Sequence, residues 1–229
     1  HRYVMALGRI MRTLTERFPH ILFEGCAAGG NRFDLGILCY FPQIWASDNT
    51  DAVSRAYIQE GLSYGYPMST VSAHVSACPN HQVGRTTPLA TRFAVAAAGN
   101  LGYELDLNKL TDEEIAEVKA QIIFMKEYRE LIQFGNFYRL KSPFDGNETV
   151  WMTVSEDKRK ALVFWYRERN VVNAEFTRVR LQGLDPDLIY KNEYNGTENY
   201  GDELMNLGLL TTDVTAGEPT NEDLPCTDY

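Results

Sequence analysis

The residues best equipped for chemistry sit together in Ile44-Trp45-Ala46-Ser47-Asp48-Asn49-Thr50-Asp51. A short apolar run, Ile37 to Trp45, has the look of a buried strand and delivers two carboxylates and three small polar residues into one turn. A helical pattern begins immediately afterwards. Strand, polar turn, helix is how an α/β enzyme presents reactive groups, because side chains at strand ends are held rigidly beside a cleft. Thr50 and Asp51 also suit the start of the next helix, where an oxygen accepts from orphan backbone N–H groups. Asp48 precedes that cap and is not needed for it. A second cluster, Cys78-Pro79-Asn80-His81 with His74 before it, has the residue types of a zinc site. It lacks a second paired set of ligands for a tetrahedral site, so no metal is expected.

The elements that must position these groups read in order. Residues 3–18 form an amphipathic helix with Val4, Leu7, Ile10, Met11 and Leu14 recurring at three- and four-residue steps, ended by Pro19. Ile21 to Cys26 reads as a short buried strand. Ala27-Ala28-Gly29-Gly30-Asn31 follows, a loop of small residues that lets backbone approach a ligand. On the glycines alone an ordinary tight turn is the better reading, and neither phosphate-loop spacing is present. The next helix runs from about Asp51 to Leu62, and Met68 to Val75 is a third strand. Pro88 opens a helix whose Phe93 to Ala98 stretch is apolar on every side. Leu101 to Leu107 is a fourth strand, and Thr111-Asp112-Glu113-Glu114 is a capping box for a helix with Ile115, Val118, Ile122 and Met125 on one face.

Alternating strands and helices over residues 1–135 predict a parallel α/β unit, too small to close an eight-stranded barrel of roughly 250 residues. From residue 136 to 229 the pattern changes to short β-branched and aromatic runs: Asn136–Leu140, Glu148–Val154, Ala161–Arg167, Phe176–Leu181 and Leu188–Tyr194. Polar turns separate them, so an antiparallel β domain, a sandwich, is expected. Its Trp151, Trp165 and Tyr166 read as core rather than as a sugar platform. Gly217 to Tyr229 reads as a loop.

With 229 residues, 44% hydrophobic and 23% charged, the chain should bury a core. A net charge of −9 without a basic patch argues against nucleic acid. No apolar run approaches the about 18 residues of a membrane span, and no signal peptide is evident. A start without Met, already in a helix, suggests a piece of something longer. Four scattered cysteines, Cys26, Cys39, Cys78 and Cys226, predict reduced, mostly buried thiols in a cytoplasmic protein.

Four stretches carry a resemblance: Phe23-Glu24-Gly25-Cys26-Ala27-Ala28-Gly29-Gly30-Asn31-Arg32-Phe33-Asp34, Pro42 to Asp51, Ser72 to Gln82, and Gly201-Asp202-Glu203-Leu204-Met205-Asn206-Leu207-Gly208. They resemble the bacterial α-galactosidases of glycoside hydrolase family 36, over nearly the whole chain. The resemblance implies the C-terminal half of a (β/α)8 TIM barrel followed by an antiparallel β-sandwich. It implies a retaining mechanism with two Asp residues on different strands, and Asp48 matches the acid/base position, Asp51 being its rival. Such an acid must protonate the departing sugar and then deprotonate the incoming water. The family's nucleophile lies in a Lys-Trp-Asp motif that this sequence lacks. Cys26 and Gly29 match positions lining the galactose pocket, and His74 and Asn80 are supporting candidates. Ala27-Ala28 stands where many members have Ser-Gly.

The implied activity is removal of terminal α-galactose from melibiose- or raffinose-type oligosaccharides, with no metal or organic cofactor. The chain would carry the acid/base half of the site and be inactive alone. A homo-oligomer, a tetramer among the options, is implied for the full-length enzyme. Galactosyl transfer to another sugar, α-N-acetylgalactosamine specificity, and a non-catalytic carbohydrate-binding or assembly module on a decayed barrel stay open as alternatives.

Overall fold

A computed structural model describes residues 1–169 and 177–210. Its first part alternates helix and strand. Helix α1 (Arg2–Arg17) leads to strand β1 (Glu24–Gly25), a one-turn element α2 (Ala27–Gly30) and a short helix α3 (Leu35–Leu38). Strand β2 (Gln43–Trp45), helix α4 (Ala52–Ser63), strand β3 (Val71–Ser76), helix α5 (Leu89–Ala97) and strand β4 (Asn100–Glu104) follow, closed by the long helix α6 (Asp112–Phe134). The four strands form one sheet in chain order, and every neighbouring pair is parallel. The capping box is present at the start of α6: Thr111 Oγ1 accepts from Glu114 N, and Glu114 Oε2 accepts from Thr111 N.

Sheet register decides which residues reach the site. Ile44 pairs with Val71 and Trp45 with Ser72, while His74 pairs with Gly102 and Ser76 with Glu104. Successive side chains alternate across a strand, so Ile44, Val71, Ala73 and Val75 share one face, and Trp45, Ser72, His74, Gly102 and Glu104 share the other. The first set is fully buried. Val71 packs in a cluster with Ala52 and Ala56 of α4 and Val95 of α5, and Ala73 and Val75 pack in another with Ala96 of α5 and Val118 of α6. A one-residue slip would put the polar set under the helices, and that asymmetry fixes the register.

The second part is antiparallel. Strands β5 (Asn136–Lys141), β6 (Glu148–Val154) and β7 (Ala161–Arg167) form a three-stranded sheet in the order β5-β6-β7. Two-stranded sheets pair β8 (Arg178–Val179) with β11 (Leu209–Leu210), and β9 (Ile189–Lys191) with β10 (Glu198–Tyr200). Helix α7 (Gly201–Asn206) lies between β10 and β11. Strand β6 is buried on both faces. Val150, Met152 and Val154 pack with Val179, Leu181, Leu184 and Leu204, making the interior of the β unit. Trp151, with Phe164 and Tyr166 of β7, instead joins Ala52, Ala56, Val95 and Ala97 of the helices in front. Trp151 and Tyr166 are thus core, and Trp165 packs partly buried against the β-unit cluster.

Several expectations are corrected. Strand β1 is only two residues long, and Ile21 and Leu22 before it are 47% and 71% exposed. The apolar run from Ile37 is not one strand: Asp34 Oδ1 accepts from Ile37 N, a cap that winds residues 35–38 into helix, and β2 starts only at Gln43. Residues 68–70 form a 3-10 turn ahead of β3, and β4 ends at Glu104 because residues 107–109 form another. On α1, Leu7 and Met11 meet Ile37 and Ile44, whereas Val4 and Ile10 are exposed. On α6, Val118 is buried but Ile122 is not. Cys26, Cys39 and Cys78 are free and exposed rather than buried, because each falls past the end of its strand or helix. Cys226 and the loop from Gly217 lie outside the described residues, as does part of the strand expected at Phe176–Leu181.

Candidate active site

At the carboxyl end of β2 the two rival carboxylates have separate fates. Asp51 is the N-cap of α4: its Oδ2 accepts from Ser54 N and Ser54 Oγ, each at 2.9 Å. The same oxygen pairs with Arg85. Asp51 is 1% exposed and committed to structure. Asp48, three residues earlier, is exposed and takes no part in the cap. Trp45 Nε1 donates to its Oδ1 at 3.0 Å.

The turn bearing Asp48 is pinned on both sides. Asn49 N donates to Ser47 Oγ and Asp51 N to Asn49 Oδ1, both at 3.1 Å, a succession of side-chain-supported turns. Arg55, one turn into α4 and 2% exposed, donates to Ser47 O at 3.1 Å, Ser72 O at 2.6 Å and Gln59 Oε1 at 3.3 Å. One guanidinium therefore ties the carbonyl before Asp48 to a carbonyl of β3. Burial pushes the Arg55 pKa down to about 10, with Glu104 acting in the opposite direction, so the group remains cationic at neutral pH. Arg92 does the same one unit later, donating to Ser76 O at 2.6 Å and Thr87 O at 3.3 Å.

The loop after β1 meets the loop after β2 at Gly29. Ala27, Ala28, Gly29 and Gly30 all have positive φ, so α2 is a left-handed turn, with Gly30 N donating to Cys26 O at 3.0 Å. A Cβ on Gly29 would lie 2.9 Å from Asp48 N, 3.2 Å from Asp48 Cγ and 3.4 Å from Asp48 Oδ2. No side chain fits there: the glycine is what lets this backbone rest on the Asp48 carboxyl. The loop thus does more than an ordinary tight turn. Cys26 precedes it at the end of β1, with its thiol exposed.

His74 and Asn80 both contact the segment that carries Asp48. The His74 ring stacks on Trp45 with centroids 4.3 Å apart, and its Nδ1 is 3.3 Å from Glu104 Oε2. Gly102 allows this, since a Cβ there would come within 2.6 Å of His74 Cδ2. Asn80, 6% exposed, donates to Thr50 Oγ1 at 3.0 Å and accepts from Gln82 N and Val83 N. Gln82 Oε1 in turn accepts from Thr50 N at 3.2 Å. The loop after β3 is thereby latched to the turn after β2. The zinc candidates do not converge: Cys78 Sγ donates to Thr87 O at 3.6 Å, and no group of three or more metal-ligating side chains forms among the described residues. Sequence reasoning missed Arg55 and gave Trp45 no role. An Arg among Ala52, Ala56 and Gln59, on the side of α4 that faces the sheet, was the available signal for Arg55.

Parallel strands alternating with helices, functional groups gathered at their carboxyl ends and an antiparallel unit behind them define an α/β-barrel type of enzyme architecture. Residues 1–135 match the Melibiase family and residues 148–224 the glycosyl hydrolase family 36 C-terminal domain. The chain belongs to the glycoside hydrolase family 36 α-galactosidases. It is 55% identical over 209 residues to alpha-galactosidase AgaA of Geobacillus stearothermophilus, a match covering 91% of this chain and 28% of that protein. The crystal structure of the family 36 α-galactosidase AgaB from the same organism superposes with a TM-score of 0.89 at 55% identity, covering 92% of this chain and 29% of that one. A variant of AgaA in complex with raffinose gives 0.91 at 52% identity, covering 94% and 30%. The chain therefore spans under a third of the length of these relatives. Among the described residues no helix is long and apolar enough to cross a membrane.

Proposed function

We propose that this chain supplies the acid/base half of the site of a retaining exo-α-galactosidase acting on melibiose- and raffinose-type oligosaccharides. The observation that carries the reading is the division of labour between Asp48 and Asp51. One carboxylate of the turn is buried in a cap and an ion pair, and the other is exposed, oriented and pressed against a glycine turn. In the first step a second carboxylate, from a barrel strand outside these residues, bonds to C1 of galactose. Protonated Asp48 gives its proton to the departing glycosidic oxygen as the C1–O bond breaks. In the second step ionised Asp48 takes a proton from water, whose oxygen bonds to C1 and releases the enzyme carboxylate. Two carboxylates suffice, so no metal or organic cofactor enters.

Cys26 and Gly29 line the galactose subsite in this reading, the first through its exposed thiol and the second through backbone close to Asp48. Residues 1–135 form the C-terminal half of the catalytic barrel and 136–229 the β-sandwich domain. Val4, Met5 and Ile10, exposed on α1, are surface the remaining barrel would cover. Three free thiols fit a reducing, cytoplasmic setting. The α-galactosidase relatives, one of them crystallised with raffinose, support the substrate class.

The test uses the full-length polypeptide carrying this chain. Asp48→Ala should lower kcat/KM on raffinose by about 10²–10⁴-fold. It should cost far less on 2,4-dinitrophenyl α-galactoside, whose leaving group needs no proton. Azide should then restore turnover and yield galactosyl azide, because an anionic nucleophile needs no base. The 229-residue chain alone should turn over neither substrate. Equal losses on both substrates, without azide rescue, would remove Asp48 from the acid/base role.

A further inference from the structure

Trp45 has a geometry that the reaction as written above does not use. Its indole N–H reaches Asp48 Oδ1 at 3.0 Å, and its ring is held from two neighbouring elements. The His74 ring stacks on it at 26°, and the Arg55 guanidinium carbon lies 4.5 Å from the ring centroid. Those holders are themselves fixed, His74 by Gly102 and Glu104, and Arg55 by the carbonyls of Ser47 in the turn after β2 and Ser72 in β3. The other carboxylate oxygen, Oδ2, faces the Gly29 turn.

An indole N–H can only donate. Oδ1 therefore accepts from it, and an oxygen already engaged by a donor is the less basic of the two, so the proton of neutral Asp48 favours Oδ2. We infer that Trp45 is a positioning residue: by occupying Oδ1 it fixes the plane of the Asp48 carboxyl and assigns Oδ2 as the oxygen that carries, delivers and recovers the proton. This rests on the acid/base reading of Asp48. Oδ2–H gives its proton to the glycosidic oxygen, and Oδ2 later takes one from water, while Oδ1 stays bonded to Trp45 throughout. His74 and Arg55 act through Trp45 by keeping its ring in plane.

The alternative is that Trp45 only fills space at the ends of β2 and β3. Trp45→Phe in the full-length polypeptide separates the two, because it keeps an aromatic ring for His74 and Arg55 and removes the N–H. A hydrogen bond to a charged group is expected to be worth about ten- to a hundredfold in rate. Trp45→Phe should therefore lower kcat on raffinose by that factor with KM within about twofold. On 2,4-dinitrophenyl α-galactoside kcat/KM should fall by less than about threefold, since galactosyl transfer to the enzyme then needs no acid. Replacing Trp45 with 3-benzothienylalanine, which keeps the bicyclic ring and has sulfur for N–H, should give the same pattern, and serves if the Phe variant folds poorly. Equal losses on both substrates, or no loss on raffinose, would overturn the inference. If Asp48→Ala shows no dependence on the leaving group either, the failure belongs to the acid/base reading; if it does, to Trp45 alone.

Discussion

The two ends of α4 bury polar side chains to opposite purposes. At its start, Arg55 and Asp51 hold backbone around a mouth and leave one carboxylate, Asp48, facing outward. Toward its end, Gln59 donates to Val95 O at 2.8 Å, and Glu60 Oε2 accepts from Trp151 Nε1 at 2.8 Å, with Gln59, Glu60 and Trp151 fully buried. The second network joins the parallel sheet's helices to the antiparallel unit across 91 residues of chain, and it touches the first where Gln59 Oε1 accepts from Arg55. Both pair most of their buried polar atoms, as burial demands, with Asp51 Oδ1 left without a partner. The first holds an exposed carboxylate beside it, whereas the second reaches the surface only through the Tyr64 hydroxyl on Glu60 Oε1. A polar network alone therefore does not mark a site; what sets the first apart is the exposed carboxylate that it orients.

That distinction can be broken by experiment. Arg55→Met keeps bulk and leaves Ser47 O, Ser72 O and Gln59 Oε1 without their donor. Three orphaned acceptors, partly offset by no longer burying a charge, should cost about 3 kcal/mol. Urea denaturation of the full-length polypeptide followed by circular dichroism measures this. Activity should fall with it by more than about tenfold, because the carbonyl before Asp48 loses its anchor. Trp151→Phe should cost less, about 1.5–3 kcal/mol, by stranding a buried carboxyl oxygen of Glu60. It should leave kcat and KM on raffinose within about twofold. If Trp151→Phe damages turnover as badly as Arg55→Met does, the junction and the mouth are one functional unit and the comparison fails.

How far each part could be read from sequence follows the same divide. Glu148–Val154 and Ala161–Arg167 were legible to the residue, because long antiparallel partners of β-branched and aromatic residues leave few other options. The parallel strands were legible only as places where a strand should be. With two or three residues in β1 and β2, pairing covers less chain than the apolar run around it. Short runs such as Ile37–Leu38 satisfy helix and strand patterns equally until a cap like Asp34 decides. Within the site, Asp51 could be separated from Asp48 because capping has a positional rule. Arg55 could not be found that way. Its role depends on Ser72 O, 17 residues away, and no local pattern encodes where that carbonyl points.

The smallest expected effect sharpens the account of the mouth itself. Ala28 sits at φ 55° and ψ 65°, in the left-handed region where an L side chain crowds the following carbonyl. That conformation costs about 1–2 kcal/mol relative to glycine, and the greater freedom of an unfolded glycine returns about 0.4–1 kcal/mol of the difference. Ala28→Gly should accordingly stabilise the full-length polypeptide by about 0.5–1 kcal/mol, seen as a small rise in its urea midpoint. No hydrogen bond of the Ala28 side chain is removed, and the turn is already fixed at Gly29 by its contact with Asp48. Raffinose turnover should thus stay within about twofold. A gain in stability coupled to a loss of turnover would mean that the strained alanine, and not only Gly29, holds backbone against the carboxyl.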